Sequence, residues 1–83
     1  MVSQDIMIKF LKKSETKTII LKKIFEEPYY LRELSKSMGI FPSGLLKHMR
    51  FLEKEGLIRS EEVGRKKFYK LTNNGLEILK KLE

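Results

Sequence analysis

The chain has 83 residues, 41% of them hydrophobic and 35% charged, with a formal charge of +7. A chain of this length buries roughly 60% of the surface that its unfolded form exposes, which allows one small core and little room for a deep substrate cavity. The lack of cysteine excludes disulfides, thiolate metal sites and a cysteine nucleophile.

The basic residues are spread along the chain: residues 1–40 carry eight basic and five acidic side chains, and residues 41–83 carry ten and six. A folded polycation suits a polyanionic partner, because cations that meet phosphates release condensed counterions. The plainer reading is a charged surface that serves solubility. The N-terminus has no secretory pattern and no stretch approaches the ~20 apolar residues of a membrane span. The expectation is an intracellular, cytoplasmic protein with no membrane partner.

Ile6, Met7, Phe10 and Leu11 form a helical apolar stripe with lysines opposite it, so the spacing predicts a first helix. Ser14 with Glu15 reads as a break or cap, after which Ile20, Leu21, Ile24 and Phe25 repeat the pattern until Pro28 stops it. Leu31, Leu34 and Met38 mark a short helix, with Gly39 placed to take positive φ at its end. Only Gly39 to Phe41 separate it from Pro42, which suits a helical first turn. Leu45, Met49 and Leu52 give that next helix an inward face, and Gly56 ends it.

From Leu57 the period changes. "LIRSEEV" and "KKFYKL" read as a two-stranded hairpin with Gly64 at its tip, in which one of Phe68 and Tyr69 faces the core. Thr72 then caps a last helix whose stripe is Leu76, Leu79 and Leu82. The whole reads as a mainly α fold with a small β-hairpin wing, in the order α-α-α-α-β-β-α. It is expected to be one domain over residues 1–83, with 1–14 an additional N-terminal helix.

Two helices joined by a tight glycine-containing turn make a helix-turn-helix, and the hairpin adds a wing. With Leu45, Met49 and Leu52 turned inward, Ser43, Gly44, Leu46, Lys47 and Arg50 project outward near the start of the second helix of the pair. The stretch from "LRELSKSMGIFPSGLLKHMRFLEKEGLI" to "FYKLTNNGLEIL" resembles the winged helix-turn-helix transcription regulators of the ArsR and MarR kind, small archaeal relatives especially. The resemblance covers about residues 16–83. It rests most on "LLKHMRFLEKEGLI" and on the passage through "L-T-x-x-G" into the last helix.

That resemblance implies a sequence-specific regulator of double-stranded DNA, a repressor, with recognition helix 42–55 in the major groove and wing 63–67 on the flanking backbone or minor groove. The DNA-facing set it implies is Tyr30, Arg32, Pro42, Ser43, Gly44, Leu46, Lys47, His48 and Arg50, with Arg65, Lys66 and Lys67 at the wing. By residue chemistry, Ser43 suits a phosphate or base edge, Gly44 a close backbone approach, Lys47 guanine O6 or N7, and Leu46 a thymine methyl or the hairpin. His48 is a groove contact or a structural histidine. As the only histidine in a chain without cysteine, it has no partners for a metal site, and no cofactor is expected. Glu61 and Glu62 would repel phosphate, so they are expected to face away from DNA or to pair with Lys67 and Lys70.

The resemblance also implies a homodimer built on the terminal helices, with Ile6, Met7, Phe10, Leu11, Leu76, Leu79 and Leu82 as its interface. Folding of those stripes onto the chain's own core is the alternative. Small-molecule effectors are not legible. An enzyme has no support, since the sequence offers no nucleophile with a base and no phosphate loop. A winged-helix adaptor for protein or RNA stays open, because fold does not fix function.

Overall fold

The computed structural model describes residues 3–27 and 29–83. Their order is α1 (Gln4–Lys13), α2 (Glu15–Glu26), β1 (Tyr29–Tyr30), α3 (Leu31–Met38), α4 (Pro42–Lys54), β2 (Ile58–Val63), β3 (Lys66–Leu71) and α5 (Asn73–Leu82). Pro28, expected to stop the second helix, lies outside the described residues. The mainly helical winged helix-turn-helix is the fold observed, with one addition. The hairpin of β2 and β3 gains a third strand, because β1 pairs antiparallel with β3 in the order β1-β3-β2. Tyr29 sits opposite Tyr69 and Tyr30 opposite Phe68.

Helix α1 starts where the Ser3 hydroxyl accepts from the Ile6 N–H at 3.3 Å, and it ends on Lys12 and Lys13, charges that suit the negative end of the helix dipole. Ser14 stands between α1 and α2, but its side chain caps neither. Thr18 secures that corner instead, its hydroxyl lying 2.9 Å from the Leu11 carbonyl and 3.2 Å from that of Ser14. Gly39 ends α3 at φ 70, a left-handed conformation that only glycine adopts without strain. The backbone then runs through two further residues into Pro42, whose missing N–H falls where a helix has no acceptor for it.

The core joins all five helices and the sheet through Met7, Leu11, Ile20, Leu21, Ile24, Leu34, Leu45, Met49, Leu52, Leu57, Ile58, Tyr69, Ile78 and Leu79. Burying each large aliphatic side chain of this set stabilises the fold by about 1.5–3 kcal/mol before the entropy cost of ordering it. Leu45, Met49 and Leu52 form the inward face of α4, as their spacing requires. On β3 the alternation resolves with Tyr69 buried and Phe68 half-buried.

The apolar stripes of the terminal helices are divided differently from the expectation. Met7 and Leu11, expected at a dimer interface, are 6% and 0% exposed in the core of the single chain. Leu79 is likewise 2% exposed, and Leu82 packs against the same cluster. The reason is that α1 lies against both α2 and α5, so residues a turn apart are covered from inside the chain. Ile6 and Phe10, one position round the helix, remain exposed at 61% and 46%. In α5 it is Ile78 and Leu79, with Gly75, that turn inward, while Leu76 is half-exposed. Phe25, expected on the inner stripe of α2, is also exposed.

Candidate nucleic-acid interface

Helix α4 has three distinct sides. Opposite the buried Leu45, Met49 and Leu52 lie Ser43, Lys47, Arg50 and Lys54, all exposed and spaced by three or four residues along one face. No acidic residue occupies the first turn, and no side chain caps it. The Ser43 and Gly44 N–H groups at that end therefore have no intrahelical acceptor, and the positive end of the helix dipole is not offset. A Cβ added at Gly44 would meet nothing within 4 Å, so this stretch of backbone is open to close approach. Leu46 is half-buried, on the flank from which Glu53 accepts a hydrogen bond from Ser60 of β2 at 3.1 Å.

His48 belongs to the third side, where its contacts are those of the structural histidine rather than of the outward face. It turns towards α2, where the Lys17 ammonium lies 3.0 Å from Nδ1. An ammonium has no acceptor lone pair, so Lys17 donates, Nδ1 accepts, and the ring proton resides on Nε2. Burial, then the neighbouring Lys17 charge, hold the imidazole below its ordinary pKa and hence neutral near pH 7. Lys17 also lies over two aromatic rings, 5.1 Å from the Phe51 centroid and 5.7 Å from that of Phe10, which themselves pack at 5.2 Å. A cation, a histidine and two phenyl rings thus fasten α1 and α2 to the rear flank of α4. No local signal in the sequence marks this cluster, since its members are up to 41 residues apart.

The wing turns through Gly64 and Arg65 between the paired Val63 and Lys66. Gly64 has φ 65 and Arg65 does not have positive φ, the pattern of a two-residue type II′ hairpin turn. Arg65, Lys66 and Lys67 are all exposed. Because strand side chains alternate, Lys66 and Lys67 leave the ribbon on opposite faces. Lys66 sits 4.7 Å from the Tyr30 ring, whose centroid is 4.1 Å from that of Phe68, and Lys67 is 5.7 Å from the Tyr69 ring. Tyr30 is therefore a half-buried platform between α3 and the wing, with its ring covered by Phe68 and Lys66.

Of the two acidic residues of the wing, Glu61 is paired at its base. Lys70 forms an ion pair with Glu61 at 3.0 Å, and that hydrogen bond and charge hold the Glu61 carboxyl below the usual carboxylate range. Glu62 is the cross-strand neighbour of Lys67.

Arg32 links the two basic elements. With Tyr30, Glu33, Arg65, Lys66 and Lys67 it lines a groove of about 610 Å³ between α3 and the wing. On its other side it lines a second groove, of about 360 Å³, with Lys36, Phe41 and Pro42 at the start of α4. The cationic surface therefore runs from the wing past Arg32 to the front of α4. Lys36 and Lys54 belong to it and escaped the sequence reading; their signal was a basic residue on the exposed face of each motif helix. Among the described residues, no group of three or more His, Cys, Asp or Glu side chains is placed to hold a metal ion, and no helix is long and apolar enough to cross a membrane.

Residues 14–60, from the corner before α2 to the start of the wing, match the family model described as bacterial regulatory protein, arsR family. The chain belongs to the arsR family. That membership carries a coarse function, a regulatory protein of the helix-turn-helix kind. Solved structures extend the likeness beyond the matched segment. The transcriptional regulator Tm0710 of Thermotoga maritima superposes with a TM-score of 0.82 at 25% identity, over 95% of this chain and 58% of that one. BldR of Sulfolobus solfataricus, also a transcriptional regulator, gives 0.75 at 25% identity over 80% of this arsR-family chain and 50% of its own. A mutant of Lactococcus lactis ZitR, in complex with DNA, gives 0.74 at 22% identity over 80% and 47%, a likeness of fold alone. The chain thus spans about half the length of these structures. None of the curated proteins matches it.

Proposed function

We propose that residues 1–83 act as a sequence-specific, double-stranded DNA-binding repressor of transcription, working as a cytoplasmic homodimer of the small archaeal type. Helix α4 enters the major groove, where Ser43, Lys47 and Arg50 meet phosphates and base edges. The wing, through Arg65, Lys66 and Lys67, reaches the flanking backbone or minor groove, and Arg32 contacts the phosphates between them. The observation that carries this reading is the continuity of the cationic surface through Arg32, from the wing to the uncapped start of α4.

The chain forms one DNA-binding domain, with α1 as an accessory helix. Its dimer contact is narrower than the sequence suggests, and uses Ile6 and Phe10, which the core leaves exposed, together with Leu76. A twofold dimer sets two recognition helices about 34 Å apart, so the operator is expected to be a pseudo-palindrome with half-sites one turn apart.

A salt titration of binding to random duplex DNA, read by fluorescence anisotropy, tests the interface. Lys47→Ala and Arg65→Ala should each weaken binding and lower the slope of log K against log salt by about one. Absence of wild-type binding at about 50 mM salt and micromolar protein would refute the reading and leave the adaptor in its place. Sedimentation equilibrium tests the dimer, which Ile6→Glu should dissociate; a wild-type chain that stays monomeric at about 100 μM rules it out.

A further inference from the structure

Phe41 is 83% exposed, the most exposed of the large apolar side chains described, and it stands at the N-cap of α4. That position is unfavourable to phenylalanine on two counts. An N-cap favours a short side chain whose oxygen accepts from the first free N–H groups, and Phe41 makes no such bond. An aromatic ring left largely in water also forgoes most of the stabilisation of burial. Local violations of this kind concentrate where function overrides folding.

The surroundings of the ring indicate what it meets. Arg32, Lys36 and Pro42 share its groove, and Ser43 and Lys47 follow it on the exposed face of the helix. No acidic residue lies in the first turn of α4. A cationic rim around a single apolar group matches a polyanion that carries isolated apolar groups. In the major groove of DNA the one such group on a base edge is the thymine 5-methyl. We infer that Phe41 is a specificity-determining residue that reads thymine methyls, so that the operator carries thymine where the start of α4 enters the groove. This rests on the DNA-binding reading above, and adds to it a base preference set by one side chain.

Thymine and uracil differ only in that methyl, which makes the assignment testable without altering charge or pairing. The duplex most enriched from a random pool by the wild-type chain is remade with uracil in place of thymine, and both forms are titrated by anisotropy. The wild type should bind the thymine form tighter by about four-fold for each methyl covered. Phe41→Ser should bind both forms equally, and Phe41→Leu should keep much of the preference. Since serine is a good N-cap, Phe41→Ser should also raise the Tm by about 4 °C, which separates loss of base reading from loss of folding.

Equal wild-type affinity for the two forms, with salt-dependent binding intact, overturns the inference and spares the DNA-binding reading. A thymine preference that survives in Phe41→Ser overturns it too, by moving the contact to another residue such as Leu46. Failure to bind either form at about 50 mM salt refutes the DNA-binding reading itself.

Discussion

Helices α4 and α5 begin in opposite ways. At the start of α5 every local demand is met. The Thr72 hydroxyl accepts from the Gly75 N–H at 3.0 Å and donates to the Gly56 carbonyl at 2.5 Å, while the Thr72 N–H donates to the Leu57 carbonyl at 3.1 Å. Gly75 is buried so closely against Leu57 that an added Cβ would overlap its carbonyl oxygen. At the start of α4 there is no cap, no acidic residue and an exposed phenylalanine. One helix start locks the wing to the core; the other is left electropositive, apolar and accessible. On the proposed reading, stability falls to one helix terminus and recognition to the other.

Substitutions that exchange the properties of the two sites should act with opposite sign. The largest effect is expected at Gly75→Ala, where a methyl collides with fixed backbone and either α5 or the strand entry must shift. It should cost about 3 kcal/mol or more in urea-induced unfolding; a loss below about 1 kcal/mol would show that the two segments part easily. Thr72→Ala removes the cap and the tie to Gly56, for about 1–2 kcal/mol, and Thr72→Ser should recover most of it.

Phe41→Ser, which installs a cap where Thr72→Ala removes one, should stabilise the fold by about 0.5–1 kcal/mol in the same assay. A loss of stability there would erase the contrast between the two helix starts.

The smallest effect concerns the rear flank of α4. His48 is the sole histidine, and its folded-state pKa lies below its unfolded one. A group lowered in this way contributes its full stability above the unfolded value, near 6.5, and loses it as pH falls through the folded one. The Tm of the wild type should therefore decline between pH 7 and 5, when protonation of Nδ1 places a cation against Lys17. His48→Gln retains an acceptor and does not titrate, so its Tm should be flatter over that interval. Equal slopes for the two proteins would separate His48 from the acid response.

The features that local chemistry controls were legible in advance. Leu45, Met49 and Leu52 recur at helical spacing because one face of α4 must be dry. Gly39 and Pro42 mark the turn because backbone sterics leave few residues suited to those positions, and Thr72 marks α5 by its cap. Strand β1 was not legible, since two tyrosines have no period and pair with Tyr69 and Phe68 only once the chain has brought them 38 or 40 residues closer. The place of His48 was not legible for a related reason. Its position on α4 placed it beside the outward residues, and only the packing of α2 supplied Lys17 to hold it inward.

By itself the sequence determined the order of the five helices and the hairpin, the inward face of α4, the basic character of the surface and the helix-turn-helix. These follow from periodicity, turn chemistry and charge, which act between residues close in the chain. Only the tertiary structure decided that Met7, Leu11 and Leu79 belong to the core while Ile6 and Phe10 stay exposed. It alone showed that Arg32 joins the wing to the start of α4, and that Phe41 stays exposed beside it. Those outcomes depend on the angles at which helices meet, and an apolar stripe specifies that a face must be covered without specifying by what.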